Sequence, residues 1–250
     1  MATLPLATSR RGVGAPTVWI HGWSAESAVW RDFPDIPGRE ALLVDLPGHG
    51  DSAWPGAFEL EDVAESILDL APPVADYVGW SLGGVASLAC ALRAPGRVRS
   101  VAILAMSNFG GERAVRMRDS LRRDRNRALA EFYRVVWSPA DRAQPHFETL
   151  QRELARVRRL PSVEAMAGIY DAFLRGIPGL ALERVSCPVV VGHGTADGVS
   201  PLERAREVAA RIPGAHVEPV DGAGHVPFLT FPAECRAILR RFWDRPTGAR

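Results

Sequence analysis

The sequence predicts an α/β fold: a mostly parallel twisted sheet covered by helices on both faces, with one helical segment inserted into it. Three observations lead there. Short apolar runs rich in Val, Ile and Leu alternate with stretches of helical period at both ends of the chain. The alternation stops between about 108 and 182, where the sequence turns helical and Arg-rich. Finally, Val78-Gly-Trp-Ser-Leu-Gly-Gly84 sets a serine between glycines, directly after one apolar run and before another.

Taken in order, residues 4–7 are expected as a short edge strand. Pro16-Thr-Val-Trp-Ile-His-Gly-Trp23 is an apolar run ending in His-Gly, a strand feeding a loop. Residues 41–45 (Ala-Leu-Leu-Val-Asp) read as a buried strand, and Leu46-Pro-Gly-His-Gly-Asp-Ser52 as a turn-rich loop without helical period. From Leu60 to Leu70 the apolar residues fall at 60, 63, 64, 67, 68 and 70, one face of a helix. Residues 75–80 form a buried strand, Leu82 to Arg93 a helix, and 98–105 the next strand. The segment 108–182 is broken by Ser138-Pro139, Leu160-Pro161 and Ile177-Pro178. Alternation resumes with a strand at 188–192, a helix at 202–211, a strand at His216 to Val220 and a last helix from Pro232 to Trp243. The expected organisation is a core of residues 1–107 and 183–250, a helical lid at 108–182, and a frayed tail at 245–250.

A chain of 250 residues can bury one sizeable core. Hydrophobic content of 47% with 24% charged residues is ordinary for a soluble globular protein. No apolar stretch reaches 18 residues and the first residues lack the pattern of a signal peptide, so a cytoplasmic protein with no membrane partner is expected. Cys90, Cys187 and Cys235 are widely spaced and read as reduced packing residues; neither a disulfide nor a metal site is expected. All 30 basic residues are arginine. Between Arg113 and Arg159 there are 13 of them against 6 acidic residues, so a near-neutral total conceals a basic segment.

The glycine-flanked serine reads as a nucleophile elbow. A tight turn between strand and helix forces unusual backbone angles on Ser81, requires Gly79 and Gly83 to be small, and leaves the hydroxyl projecting at the sheet edge. A serine hydroxyl needs a base, and the base needs a third group to hold its tautomer. His225, in Gly222-Ala-Gly-His-Val-Pro-Phe228, lies between the last strand and last helix. Asp197, in His193-Gly-Thr-Ala-Asp-Gly-Val-Ser-Pro201, follows the preceding strand. Asp45 and Asp221 are rival acids, read as structural. An oxyanion would be met by the backbone N–H groups of Leu82, at the start of the helix, and Trp23, in the loop after the first main strand. His21 is read as a brace for that loop.

Together His21-Gly22-Trp23, Asp45-Leu-Pro-Gly-His-Gly-Asp-Ser52, Gly79-Trp-Ser-Leu-Gly-Gly84, His193-Gly-x-x-Asp197 and Gly224-His225-x-Pro227 resemble the α/β-hydrolase superfamily, across essentially the whole chain outside the lid. Within it, Trp80, Trp23 and Pro227-Phe-Leu-Thr-Phe-Pro-Ala-Glu234 are similar to the pimeloyl-[acyl-carrier protein] methyl ester esterases of biotin synthesis. That resemblance implies an α/β-hydrolase fold, a Ser81–His225–Asp197 triad without cofactor, and hydrolysis of a carrier-bound pimeloyl methyl ester with release of methanol. It implies that Trp23, Ser81, Leu82, Phe132, Tyr133, Arg134, Val135, Val136 and His225 line the substrate site, and that Arg127 touches the carrier. Glu131 departs from the pattern, standing where a further basic residue is expected. The basic segment fits independently, because acyl carrier proteins are acidic and guanidinium groups would steer one in. A monomer that binds no nucleic acid is expected. Other readings of the same residues are a general carboxylesterase, a carbon–carbon bond hydrolase, and a ligand receptor that signals through the lid. A haloalkane dehalogenase is disfavoured, since that chemistry needs a carboxylate in place of Ser81.

Overall fold

A computed structural model describes residues 3–106, 112–157 and 159–244. Its sheet has seven strands in the order β1-β3-β2-β4-β5-β6-β7. They are β1 (Thr8–Gly12), β2 (Ala15–Ile20), β3 (Arg39–Val44), β4 (Ala75–Ser81), β5 (Val98–Met106), β6 (Val189–Gly194) and β7 (His216–Val220). Every neighbouring pair is parallel except β1 with β3, which runs antiparallel with Thr8 opposite Val44 and Gly12 opposite Glu40. All seven residues of β4 are buried, as expected of a central strand covered on both faces.

The helices α1 (Leu60–Leu70), α2 (Leu82–Arg93), α8 (Leu202–Ala209) and α10 (Pro232–Trp243) lie outside the central helical segment. Helix α1 buries Leu60, Val63, Ala64, Ile67 and Leu68, the stripe its spacing predicts, and begins in a capping box between Glu59 and Asp62. Helix α8 is two residues shorter than expected. A one-turn helix, α9 (Pro227–Thr230), was not anticipated.

One edge strand differs from expectation. Residues 4–7 are not a strand; the pairing segment is β1, Thr8–Gly12, whose five residues are all exposed. Leu4 and Leu6 are buried instead as anchors, and the Leu4 N–H donates to Ser66 Oγ at 2.7 Å. Backbone pairing, rather than apolar side chains, makes the strand here, so a search for apolar runs settles on the wrong residues.

Between β5 and β6 come α3 (Glu112–Arg123), α4 (Arg125–Val136), α5 (Pro139–Arg142), α6 (Phe147–Val157) and α7 (Val163–Gly176). The prolines fall where helices begin or end. Pro139 opens α5, Pro161 precedes the Ser162 cap of α7, and Pro178 sits in the 3₁₀ turn that follows α7. Several arginines of this segment are held in internal ion pairs. Arg118 and Arg122 both reach Asp171 of α7, at 3.1 and 2.6 Å, and Arg159 grips the buried Glu26 through its backbone N–H, Nε and Nη2. The expected segment start at 108 and the tail at 245–250 lie outside the described residues.

Candidate active site

The carboxyl ends of the parallel strands bring the predicted residues to one rim of the sheet: Trp23 after β2, Ser81 at the end of β4, Asp197 after β6 and His225 after β7. Strand β4 passes into α2 through Ser81 alone, at φ 52° and ψ −111°. A non-glycine residue tolerates such angles only where the surroundings over-determine them. Here they do. A Cβ on Gly79 would overlap the backbone of Gly83 and Gly84, and one on Gly83 would overlap the carbonyl of Ile20. As the first residue of α2, Leu82 carries an N–H with no acceptor inside the helix, at the positive end of its dipole.

His225 Nε2 lies 2.9 Å from Ser81 Oγ, and His225 Nδ1 lies 2.7 Å from Asp197 Oδ2. All three residues are buried. With the aspartate ionised, Nδ1–H donates to it, leaving Nε2 free to accept the serine proton. Asp197 Oδ1 accepts from the N–H groups of Val199 and Ser200 at 2.8 and 2.9 Å. Burial alone would push this carboxyl up, but His225 and the Ser200 N–H hold the group below its ordinary range. The role of His193 is not legible in the motif that it opens. Its Nδ1 accepts from the Met106 N–H at 3.0 Å, so Nε2 carries a proton, which it donates to the Ser200 carbonyl at 2.8 Å. Burial lowers the His193 pKa, leaving a neutral ring 3.4 Å behind Asp197 Oδ2.

The loop after β2 is set by packing. Gly22 presses on the indole of Trp80, where a Cβ would come within 2.9 Å. The Trp23 indole N–H donates to the Met166 carbonyl of α7 at 3.0 Å, and its ring meets Phe132 and Tyr170, each with centroids 5.0 Å away. His21 braces the loop: Nδ1–H donates to the Gly22 carbonyl at 2.7 Å and Nε2 accepts from the Leu46 N–H at 3.0 Å. Asp45 accepts from the N–H groups of Ser27 and Asp51, and Asp221 from Thr195 Oγ1; both rivals of Asp197 are occupied in their own loops.

Ser81 and His225 open on a cavity of about 590 Å³ also walled by Trp23, Phe132, Arg134 and Val135. A neighbouring, more apolar cavity of about 650 Å³ takes Tyr133 and Val136. Helix α4 runs between the two, so its successive residues divide: Phe132 faces both, and the five residues expected to act together fall on two sides. The Leu82 side chain is fully buried and could meet a substrate only through its backbone N–H. Arg127 is exposed and paired with Glu131 at 3.0 Å. Tyr170, Met117 and Val199 line the first cavity without any local sequence signal, because their placement comes from helix docking. Among the described residues no cluster of His, Cys, Asp and Glu could hold a metal ion, and no helix is long and apolar enough to cross a membrane.

Residues 17–238 match the model of the alpha/beta hydrolase family. A pimeloyl-[acyl-carrier protein] methyl ester esterase of Methylococcus capsulatus is 32% identical over 92% of this chain and 95% of its own length. The protein of that name from Klebsiella pneumoniae is 30% identical over 89% and 91%. Among solved structures, a hydrolase from Pseudomonas aeruginosa superposes with a TM-score of 0.83 at 23% identity, covering 96% of this chain and 94% of that one. An esterase from Thermogutta terrifontis gives 0.81 at 21%, covering 95% and 92%; both likenesses show the shared fold. With a family model spanning most of its length and relatives of 30% identity or more across nearly all of it, the chain belongs to the alpha/beta hydrolase family, as a carboxylic-ester hydrolase.

Proposed function

We propose that this hydrolase uses Ser81, His225 and Asp197 to cleave the methyl ester of a pimeloyl chain carried on acyl carrier protein, releasing methanol in biotin synthesis. His225 Nε2 takes the Ser81 proton as Oγ attacks the ester carbonyl. The backbone N–H groups of Leu82 and Trp23 stabilise the tetrahedral oxyanion, a contribution on the order of 3 kcal/mol for each donor. The imidazolium, steadied by Asp197, then protonates the departing methoxide. Water repeats the sequence on the acyl-enzyme, returning the carboxylate and free serine.

The observation that carries the reading is the unbroken hydrogen-bonded line from Ser81 Oγ through His225 to Asp197, opening on a cavity walled in part by residues of α3, α4 and α7. The relatives' names support the carrier-bound substrate. One observation favours a second reading, a free small ester: Arg118, Arg122, Arg127 and Arg159 are tied up in ion pairs, which thins the basic surface. The test is the rate of methanol release from monomethyl esters of graded chain length, presented on and off acyl carrier protein. A strong preference for the carrier-bound pimeloyl ester supports the proposal. Equal or higher efficiency on free short esters contradicts it.

A further inference from the structure

The chain that ends α4 and forms α5 touches the loop bearing His225 at several points, and one of them is a buried carboxylate. Asp141 is fully buried. Its Oδ2 accepts from the N–H of Ser138 at 2.7 Å and from the N–H of Gly224 at 2.9 Å; its Oδ1 accepts from Thr230 Oγ1 at 2.6 Å. Gly224 is the residue immediately before His225, and Thr230 ends α9 just beyond it. Ser138 closes the arrangement: its Oγ accepts from the Asp141 N–H at 3.0 Å and donates to the Gly222 carbonyl at 2.6 Å. A Cβ on Gly224 would collide with the Asp141 carboxylate, so the contact is as close as the backbone allows.

We propose that Asp141 is a positioning residue for catalysis: one lid carboxylate holds both flanks of His225 and so fixes the imidazole between Ser81 and Asp197. A carboxylate taken wholly out of water is costly to keep unless it is hydrogen-bonded, and two of its three donors here come from segments on either side of the histidine. The Gly224 bond to Oδ2 sets where the loop enters His225, the Thr230 bond to Oδ1 sets where it leaves, and the Ser138 bond anchors the carboxylate in α5. Asparagine can reproduce this pattern. Its carbonyl would receive the Ser138 and Gly224 N–H groups, and its NH₂ would donate to Thr230 Oγ1, whose own proton turns to the Val226 carbonyl already 3.4 Å away. Alanine reproduces none of it.

The inference rests on His225 being the base, so His225→Ala is the control that tests that reading separately. The experiment measures kcat and KM for Asp141→Ala, Asp141→Asn and Thr230→Val on a soluble ester, each normalised to reactive serine counted with a fluorophosphonate probe. Asp141→Ala is expected to lose kcat per reactive site on the order of 10- to 100-fold, the scale of an Ångström-sized misplacement, with KM within about twofold. Asp141→Asn should stay within about threefold of the parent, and Thr230→Val should fall between the two. An unchanged kcat per site in Asp141→Ala, or an Asp141→Asn as impaired as the alanine variant, overturns the proposal. If Asp141→Ala does not fold, an unchanged kcat in Thr230→Val overturns it instead. Turnover that survives His225→Ala would overturn the catalytic assignment itself.

Discussion

The indole N–H of Trp80 donates to the main-chain carbonyl of His225 at 2.8 Å. Trp80, which precedes Ser81, thus holds the backbone of His225, 145 positions along the chain, while the His225 N–H donates to the Val136 carbonyl of α4 at 2.9 Å. His225 is suspended between β4 on one side and α4 on the other. Phe228 completes the mount, with ring centroids 5.5 Å from Trp80 and 4.5 Å from Trp30.

Replacing Trp80 by Phe keeps most of the packing but leaves the His225 carbonyl without that donor. A lost buried hydrogen bond is worth about 1–2 kcal/mol, so kcat is expected to fall about 5- to 30-fold. Steady-state kinetics on a soluble ester with thermal unfolding alongside checks it; wild-type turnover would show that the bond does not position the base.

Gly83→Ala drives a methyl group into the Ile20 carbonyl, where backbone rather than a flexible side chain must yield. A loss of about 3 kcal/mol or more is expected, read as a large drop in urea midpoint or as failure to fold. Ser81→Gly, by contrast, relieves the φ of 52° and is expected to be more stable than Ser81→Ala by about 1 kcal/mol, though inactive. Equal stabilities for the two Ser81 variants would mean the elbow stores no strain.

Acid stability should be governed by histidines buried in neutral form. Burial, with a smaller contribution from neighbouring His21, lowers the His49 pKa to about 3, and burial also lowers those of His21 and His193. The unfolded chain takes up protons near pH 6.5 while the folded one resists. Stability is therefore full above that pH and is lost as pH falls below 6.5; for His49 the loss continues toward pH 3, at up to about 1.4 kcal/mol per pH unit. Asp197 acts lower: held below its ordinary range, it contributes above about pH 4 and that contribution disappears on further acidification. Urea unfolding at pH 7.5, 6 and 5 checks the first window, with His49→Gln giving a shallower slope. A flat profile would contradict it.

If the lid docks an acidic carrier, Arg123→Glu with Arg127→Glu, both exposed on α3 and α4, should lower kcat/KM for the carrier-bound ester about 10-fold or more. The salt dependence should flatten, and hydrolysis of a short free ester should stay within about twofold. An equal loss on both substrates would assign the change to the fold.

Much of this architecture was legible because it is written locally. The boundaries of α1, α2, β7 and α10 fall where period and prolines put them, and the glycines around Ser81 mark a strand-to-helix turn in the sequence itself. What escaped depends on partners distant in sequence. Asp141 reads as the N3 residue of a Ser-Pro helix start; only folding brings it to Gly224 and Thr230, 83 and 89 positions away. The residues 132–136 look like one substrate-lining run, yet which face of α4 meets which cavity is decided by how that helix docks.

All of this depends on Ser81 passing its proton to His225. Methanol release from the carrier-bound pimeloyl methyl ester, measured over many turnovers for the parent and for Ser81→Ala with matched unfolding curves, tests that directly. Turnover in the parent and none in the variant is the expected result; sustained methanol release by Ser81→Ala would contradict it.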